Sequence, residues 1–131
     1  MHYLLDANVV VGLLNNRPLN LVRRARQQSA IDIGIPAVVA HELFYGAFRS
    51  RRASQNLARI DALQFEVIEF DRDDARQAGE IRALLAAEGT PIGPYDVLIA
   101  GQAVARNAVL VTRNTSEFAR VPRLRLENWE A

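Results

Sequence analysis

Cysteine is absent from this sequence, and so is lysine: all 16 basic residues are arginine. Without cysteine there are no disulfides, no thiol chemistry and no Cys-based zinc sites. Without lysine there is no amine for a Schiff base, no P-loop lysine and no lysine partner for a phosphoaspartyl group. A phosphoaspartyl enzyme or receiver is therefore excluded. No apolar run approaches the ~20 residues needed to span a bilayer, and the N-terminus lacks the basic-then-apolar signature of a signal peptide, so a cytoplasmic location is expected. Histidine occurs only at His2 and His41, far apart in the chain, and a Ser–His–acid triad would have to be built on one of them. Internal repeats, linkers and low-complexity tracts are also missing.

What is present suits one ordinary domain spanning residues 1–131, with 50% hydrophobic and 24% charged residues and a net charge of +1. Exclusive use of arginine has a plain explanation in GC-rich codon usage. Arg23, Arg24 and Arg26 form one basic cluster, and Arg49, Arg51 and Arg52 another. Each reads either as a solvated helix face or as a contact for an RNA backbone or an acidic partner.

Hydrophobic periodicity and breakers predict alternating strands and helices. Tyr3 to Leu5 reads as a short buried strand and Ala7 to Leu14 as a helix, broken at Asn15-Asn16-Arg17-Pro18. A second helix carries Leu19, Val22 and Ala25, and the alternation Ile31-Asp32-Ile33-Gly34-Ile35 predicts a second strand ending at Pro36. Ala37 to Phe48 and Ser54 to Leu63 read as helices, Phe65 to Phe70 as a third strand, and Arg72 to Glu88 as a long helix stopped by Gly89. After the loop Thr90-Pro91-Ile92-Gly93-Pro94, Tyr95 to Arg106 is helical and Ala108 to Val111 is a fourth strand, with Leu124 to Leu126 a short edge strand. Strands alternating with helices predict an α/β/α sandwich around a mainly parallel sheet of four to five strands.

Several acids sit where an oily chain should not carry them. Asp6 interrupts HYLLDANVVVGLL at the carboxyl end of the first strand, the edge where open parallel sheets bind ligands. It also suits the N-cap of the next helix. Glu42 falls among Val38, Val39, Leu43 and Gly46 on a helix whose other side holds Phe44, Tyr45 and Phe48. An unpaired carboxylate there would cost several kcal/mol, so it needs an arginine or a metal. Asp96 lies in the first turn of its helix, where an acid favours the dipole, yet shares a side with the small residues Ala100 and Ala103. Thr112, Asn114 and Glu117 follow the fourth strand at the same edge as Asp6. Each has a bland reading as cap or surface. Together they would converge at one end of one sheet, and crowded carboxylates call for a hard divalent cation such as Mg²⁺.

The segments LLDANVVVGLL, AVVAHELFYGA, GTPIGPYDVLIAGQAVARN and LVTRNTSEFARVPRLRLENW resemble, in order and spacing, the signatures of PIN-domain ribonucleases, and more narrowly the VapC-type toxins of bacterial toxin–antitoxin modules. The likeness covers nearly the whole chain. It implies a PIN fold and Mg²⁺-dependent endoribonuclease activity, with Mn²⁺ able to substitute. It places the catalytic and metal-binding acids at Asp6, Glu42, Asp96 and Glu117, with Asn8, Thr112 and Asn114 in support. Relatives often carry an aspartate after the fourth strand; here the resemblance implies that Glu117, assisted by Asn114, completes the site while Thr112 fixes the turn. It further implies a homodimer, a VapB-type antitoxin lying in a groove, and structured RNA as substrate. That RNA is expected to be tRNA, with the GPYD context similar to a subgroup that cuts initiator tRNA in the anticodon stem-loop. Phe44, Tyr45 and Phe48 could line the antitoxin groove or serve ordinary packing. The alternative function is a catalytically weak PIN-like module that binds RNA or protein without cutting.

Overall fold

The computed structural model describes residues 1–131. Five strands, Tyr3–Leu5 (β1), Ile33–Pro36 (β2), Glu66–Ile68 (β3), Val109–Val111 (β4) and Arg125–Glu127 (β5), form one sheet in the order β3-β2-β1-β4-β5. Every neighbouring pair is parallel. Parallel neighbours need crossover connections, which are supplied by helices Ala7–Leu14 (α1), Leu19–Arg26 (α2), Ala37–Arg49 (α3), Ala53–Asp61 (α4), Arg72–Ala87 (α5) and Pro94–Ala105 (α6). A single turn of helix, Thr115–Phe118 (α7), links β4 to β5. The result is an α/β sandwich built on a wholly parallel sheet. No helix is long and apolar enough to cross a membrane.

The strand order decides where a site can form. The chain steps outward from β1 through β2 to β3, then returns to the other side of β1 as β4. Connections on the two sides of that point diverge, opening a crevice at the carboxyl ends of β1 and β4. Register places Leu5 beside Val111, and the Asp6 N–H donates to the Val111 carbonyl at 3.0 Å. Asp6 and Thr112 therefore lie side by side at the head of the crevice.

Packing follows the apolar pattern. Leu4, Leu5, Leu110 and Val111 are fully buried in the two central strands, and Phe118 and Trp129 close the β5 side. The capping box of α5 is formed by Asp71 and Asp74: the Asp74 N–H donates to Asp71 Oδ1 at 3.0 Å and the Asp71 N–H to Asp74 Oδ2 at 2.9 Å. Asp74 is buried, and it is paired by Arg106 at 3.0 Å while Gln102 Nε2 donates to the Glu69 carbonyl at 2.7 Å. This network locks α6 against the β3–α5 turn. Between α5 and α6 the backbones nearly touch: a Cβ on Gly101 would meet the Ala78 backbone nitrogen at 2.5 Å. Gly101→Ala is thus expected to destabilise the fold by about 1–3 kcal/mol, read as a lower urea midpoint with unchanged m-value.

Three local expectations change. The second strand starts at Ile33 rather than Ile31, because Ala30–Asp32 forms a 3₁₀ turn and Ile31 is 83% exposed. The ladder first pairs Tyr3 with Ile33, so Ile31 has no neighbouring strand to cover it. The third strand is shorter than Phe65–Phe70, spanning only Glu66–Ile68 opposite the short β2. The turn after Thr112 carries a helical turn, α7, which drives Phe118 into the core.

Candidate active site

Asp6 is 6% exposed and held from two sides. Its Oδ1 accepts from the Ala7 N–H at 2.9 Å as the N-cap of α1, and its Oδ2 accepts from the buried Thr112 hydroxyl at 2.7 Å. Cap and site residue are therefore one residue, and the two readings of Asp6 do not compete. The Thr112 hydroxyl oxygen also accepts from the Asn114 N–H at 3.0 Å, which shapes the turn into α7. Asn114 in turn donates its side-chain amide to Glu117 Oε2.

Glu117 is also met from α6. The Gly93 N–H donates to Glu117 Oε1 at 3.0 Å, and this bond, reinforced by Asn114, holds the carboxyl below its usual range. Gly93 caps α6, with Pro94 at its first position and Asp96 in its first turn. A Cβ on Gly93 would stand 3.2 Å from Asp96 Oδ2, so the absence of a side chain leaves room for the two acids to meet over it. Partial burial, then the charges of Glu117 and Asp6, raise the Asp96 carboxyl from 3.8 to about 7. The Asp96 carboxyl therefore takes up a proton as pH falls through about 7, while Glu117 stays ionised.

Glu42 enters from α3. Burial and the Asp6 charge raise its carboxyl, and its Oε1 is buried without a hydrogen-bond partner. No arginine neutralises it: the ion pairs of the chain use Arg24, Arg106 and Arg123. His41 stacks edge-on against Tyr95 at 5.4 Å, tying α3 to α6 beside Glu42 and Asp96. The structure thus draws Asp6, Glu42, Asp96 and Glu117 from four different segments into one mutually perturbing cluster, with Thr112 and Asn114 as the bonds between them.

The donor set fits a hard divalent cation. All donors are oxygen, the like charges raise two of the carboxyls, and one buried carboxylate oxygen lacks any partner. No three His, Asp or Glu side chains close around a common point. That arrangement suits an ion that keeps several waters and takes only one or two carboxylates directly.

Beside the acids a largely apolar groove of about 350 Å³ runs between α1, α3 and α4, with Glu42 at its edge and Val11, Leu43, Gly46, Ala47 and Ile60 among its walls. Of the two readings of Phe44, Tyr45 and Phe48, the groove wall is not the one seen, since none of them lines it. Phe44 packs on the core, while Tyr45 and Phe48 are exposed, with Arg49 stacked on the Tyr45 ring. The first basic cluster is partly structural too: Arg24 pairs with Glu127 at 3.4 Å and sits over Trp129.

The model of the PIN domain matches residues 3–124. The chain belongs to the PIN-domain family. Within it the chain falls among the VapC ribonucleases. It is 37% identical over 131 residues to the tRNA(fMet)-specific endonuclease VapC of Salmonella typhimurium, covering 98% of both chains. It is 39% identical over 136 residues to ribonuclease VapC2 of Rickettsia felis, covering 99% of each. The fold superimposes with a TM-score of 0.93 on a chain of the DNA-bound VapBC structure from Salmonella typhimurium, at 37% identity and 98% coverage of both. For the Rickettsia felis VapBC2 structure bound to a promoter fragment the TM-score is 0.91, covering 98% of this chain and 99% of that one. The PIN fold and the expected family thus hold over almost the entire length.

The sequence pattern did not mark Gly93, whose N–H fixes Glu117. Its signal lay in the Gly-Pro ahead of Tyr95, which the sequence reads only as the end of a loop; the structure starts α6 at Pro94.

Proposed function

We propose that the protein is a divalent-metal-dependent endoribonuclease toxin that cuts tRNA, with residues 1–131 acting as one PIN domain. The observation that carries this reading is the cluster of Asp6, Glu42, Asp96 and Glu117 at the switch point of the sheet, with its orphaned Glu42 oxygen and its raised Asp96. An inert binding module would have no reason to keep four acids at the expense of mutual repulsion. The relatives named for tRNA(fMet) support initiator tRNA as the substrate; a cut in the anticodon stem-loop, in the cytoplasm, rests on the resemblance of the GPYD context alone.

Asp6 and Asp96 would hold Mg²⁺, or Mn²⁺ in its place, with Glu42 on a water that the ion carries and Glu117 adjoining. When bound, the cation supplies charge neutralisation on the scissile phosphate and a lowered pKa for water. Glu117, kept ionised by Gly93 and Asn114, orients the attacking water by accepting a hydrogen bond from it. Water oxygen bonds to phosphorus as the bond to the 3′ oxygen breaks; the attacking water loses a proton to solvent and the leaving oxygen takes one up from solvent, leaving a 5′-phosphate and a 3′-hydroxyl. Thr112 holds Asp6 in place through this change, and Asn8, exposed two residues past Asp6, would contact the RNA.

The test is incubation of the purified protein, free of antitoxin, with total bacterial tRNA in Mg²⁺ and in chelator, followed by sequencing of new RNA ends. Discrete cuts with metal only support the reading. Intact tRNA from folded protein in Mg²⁺ refutes it.

The partner in this reading is a VapB-type antitoxin, whose presence in the VapBC structures of relatives supports it. Its segment would lie in the groove between α1, α3 and α4 and cover Glu42. Gly46 lines that groove, and a Cβ there would meet nothing within 4 Å. Gly46→Gln should therefore fill the groove and weaken antitoxin binding by at least about tenfold, measured by calorimetry. Its melting temperature should not fall, since glycine inside a helix costs about 1 kcal/mol. A homodimer is the assembly we expect for the toxin itself, checked by light scattering.

A further inference from the structure

A second cleft, of about 390 Å³, continues from the apolar groove along α1 and shares Val11 and Asn15 with it. It is the more polar of the two. Asn8, Asn15, Arg17, Arg113 and Glu130 line it beside Val11, Gly12 and Pro18. Arg17 and Arg113 are both exposed, and neither takes part in the ion pairs of the chain. Two unpaired guanidinium groups facing one polar cleft are an unspent anion-binding capacity.

The position of the cleft is set by the catalytic segments themselves. Asn8 follows Asp6 by two residues, and Arg113 follows Thr112, the hydroxyl donor to Asp6. The cleft therefore begins where the acid cluster ends. A polyanion brought to four carboxylates is repelled, and fixed positive charge within about a Debye length offsets that repulsion. We propose that this cleft anchors a backbone phosphate of the substrate RNA outside the scissile bond, with Arg17 and Arg113 on the phosphate and Asn8 and Asn15 on a ribose hydroxyl or base edge. The inference rests on the ribonuclease reading above and adds the residues that place the strand. Guanidinium forks match phosphate geometry, and side-chain amides can donate to and accept from the 2′-hydroxyl that distinguishes RNA. A protein segment is the poorer occupant, because this cleft offers an apolar side chain less to bury against than the neighbouring groove and sets two unpaired arginines there instead.

Glu130 gives the proposal a prediction of opposite sign. It shares the cleft but pairs with neither arginine, so its charge opposes the phosphate.

The experiment is steady-state cleavage of labelled initiator tRNA by the full chain in Mg²⁺ over a range of salt. Arg17→Ala and Arg113→Ala should each raise KM about tenfold. Each should also lower the salt slope of log KM by about one, with kcat changing far less. Glu130→Gln should lower KM. Arg26→Ala, at the far end of α2 and outside the cleft, reads the effect of losing one charge anywhere and should change KM less. Unchanged KM and salt slope in the Arg17 and Arg113 variants, beside an active wild type, would overturn the anchor and leave the nuclease reading standing. Variants that bind tRNA normally but lose affinity for an acidic protein partner would overturn it as well. Wild-type protein that neither binds nor cuts tRNA would overturn both.

Discussion

Asp96→Asn is expected to reduce tRNA cleavage by about 10²–10³-fold and, in chelator at pH 8, to make the folded protein more stable than wild type. Both effects have one cause. Asp96 is held against Glu117, Asp6 and Glu42, and its carboxyl is raised from 3.8 to about 7. The unfolded chain gives up that proton near 3.8, whereas the folded chain keeps it until about 7. Its contribution to stability is thus fully present below the unfolded value and is lost as pH rises through the folded one. Glu117 runs the other way: its lowered carboxyl favours folding above its ordinary value of 4.5, and that help is lost as pH falls. Between pH 5 and pH 8, then, metal-free wild type should lose stability, with the raised Glu42 adding to the fall.

The full linkage for Asp96 would be ~4 kcal/mol. Asp96 is only half-buried, and solvent screening reduces this to about 1–2 kcal/mol, or roughly 5 °C in melting temperature. The asparagine variant keeps a similar volume and removes the charge, so its stability should vary much less with pH. Added Mg²⁺ should raise the melting temperature of wild type at pH 8 and that of the variant far less. Thermal melts at pH 5 and 8, each with Mg²⁺ and with chelator, check all of this. A variant that cuts as well as wild type, or that melts lower at pH 8 in chelator, would remove Asp96 from the site.

Thr112→Val should cost both stability and turnover, for a different reason. Thr112 is fully buried, donates to Asp6 Oδ2 at 2.7 Å and accepts from the Asn114 N–H at 3.0 Å. Valine has nearly the same shape but no hydroxyl, so Asp6 loses a donor and a buried backbone N–H loses its acceptor. A hydrogen bond to a charged group is worth about 1.5–3 kcal/mol, and that range is the expected destabilisation. Groups that orient ligands from behind typically carry 10–100-fold in activity, so kcat should fall by about that factor with KM little changed. Thr112→Ser keeps the hydroxyl and should recover most of the turnover. If valine lowers the melting temperature but leaves kcat intact, Thr112 serves the fold alone and the positioning role is refuted.

The broad architecture was legible because its signals are local. Alternating apolar strands and helices, the break before Pro18, the stop at Gly89 and Pro94 at the start of α6 all act over a few residues. The short α7 and the exposed Ile31 were not legible, since each depends on a neighbour far along the chain. Ile31 alternates correctly with Ile33 and Ile35, but the ladder begins beside Tyr3 and leaves it uncovered. The aromatic residues of α3 stayed open between groove and packing for the same reason: side-chain type says that a face is greasy, and only packing says which neighbour it meets.

By itself the sequence determined which chemistry was open to this protein. It has no thiol and no lysine amine, and its acids fall at a strand end (Asp6), at a helix start (Asp96) and on an apolar helix face (Glu42). Which of them act together was decided by tertiary structure alone. The reversal of strand order between β1 and β4 brings Asp6 to Thr112 across more than a hundred residues of chain, and the Gly93 N–H, invisible as a side chain, turns Glu117 toward Asp96. Charge repulsion and hydrogen bonding fall off steeply with distance, so a cluster of acids has no meaning until the fold sets the distances between them.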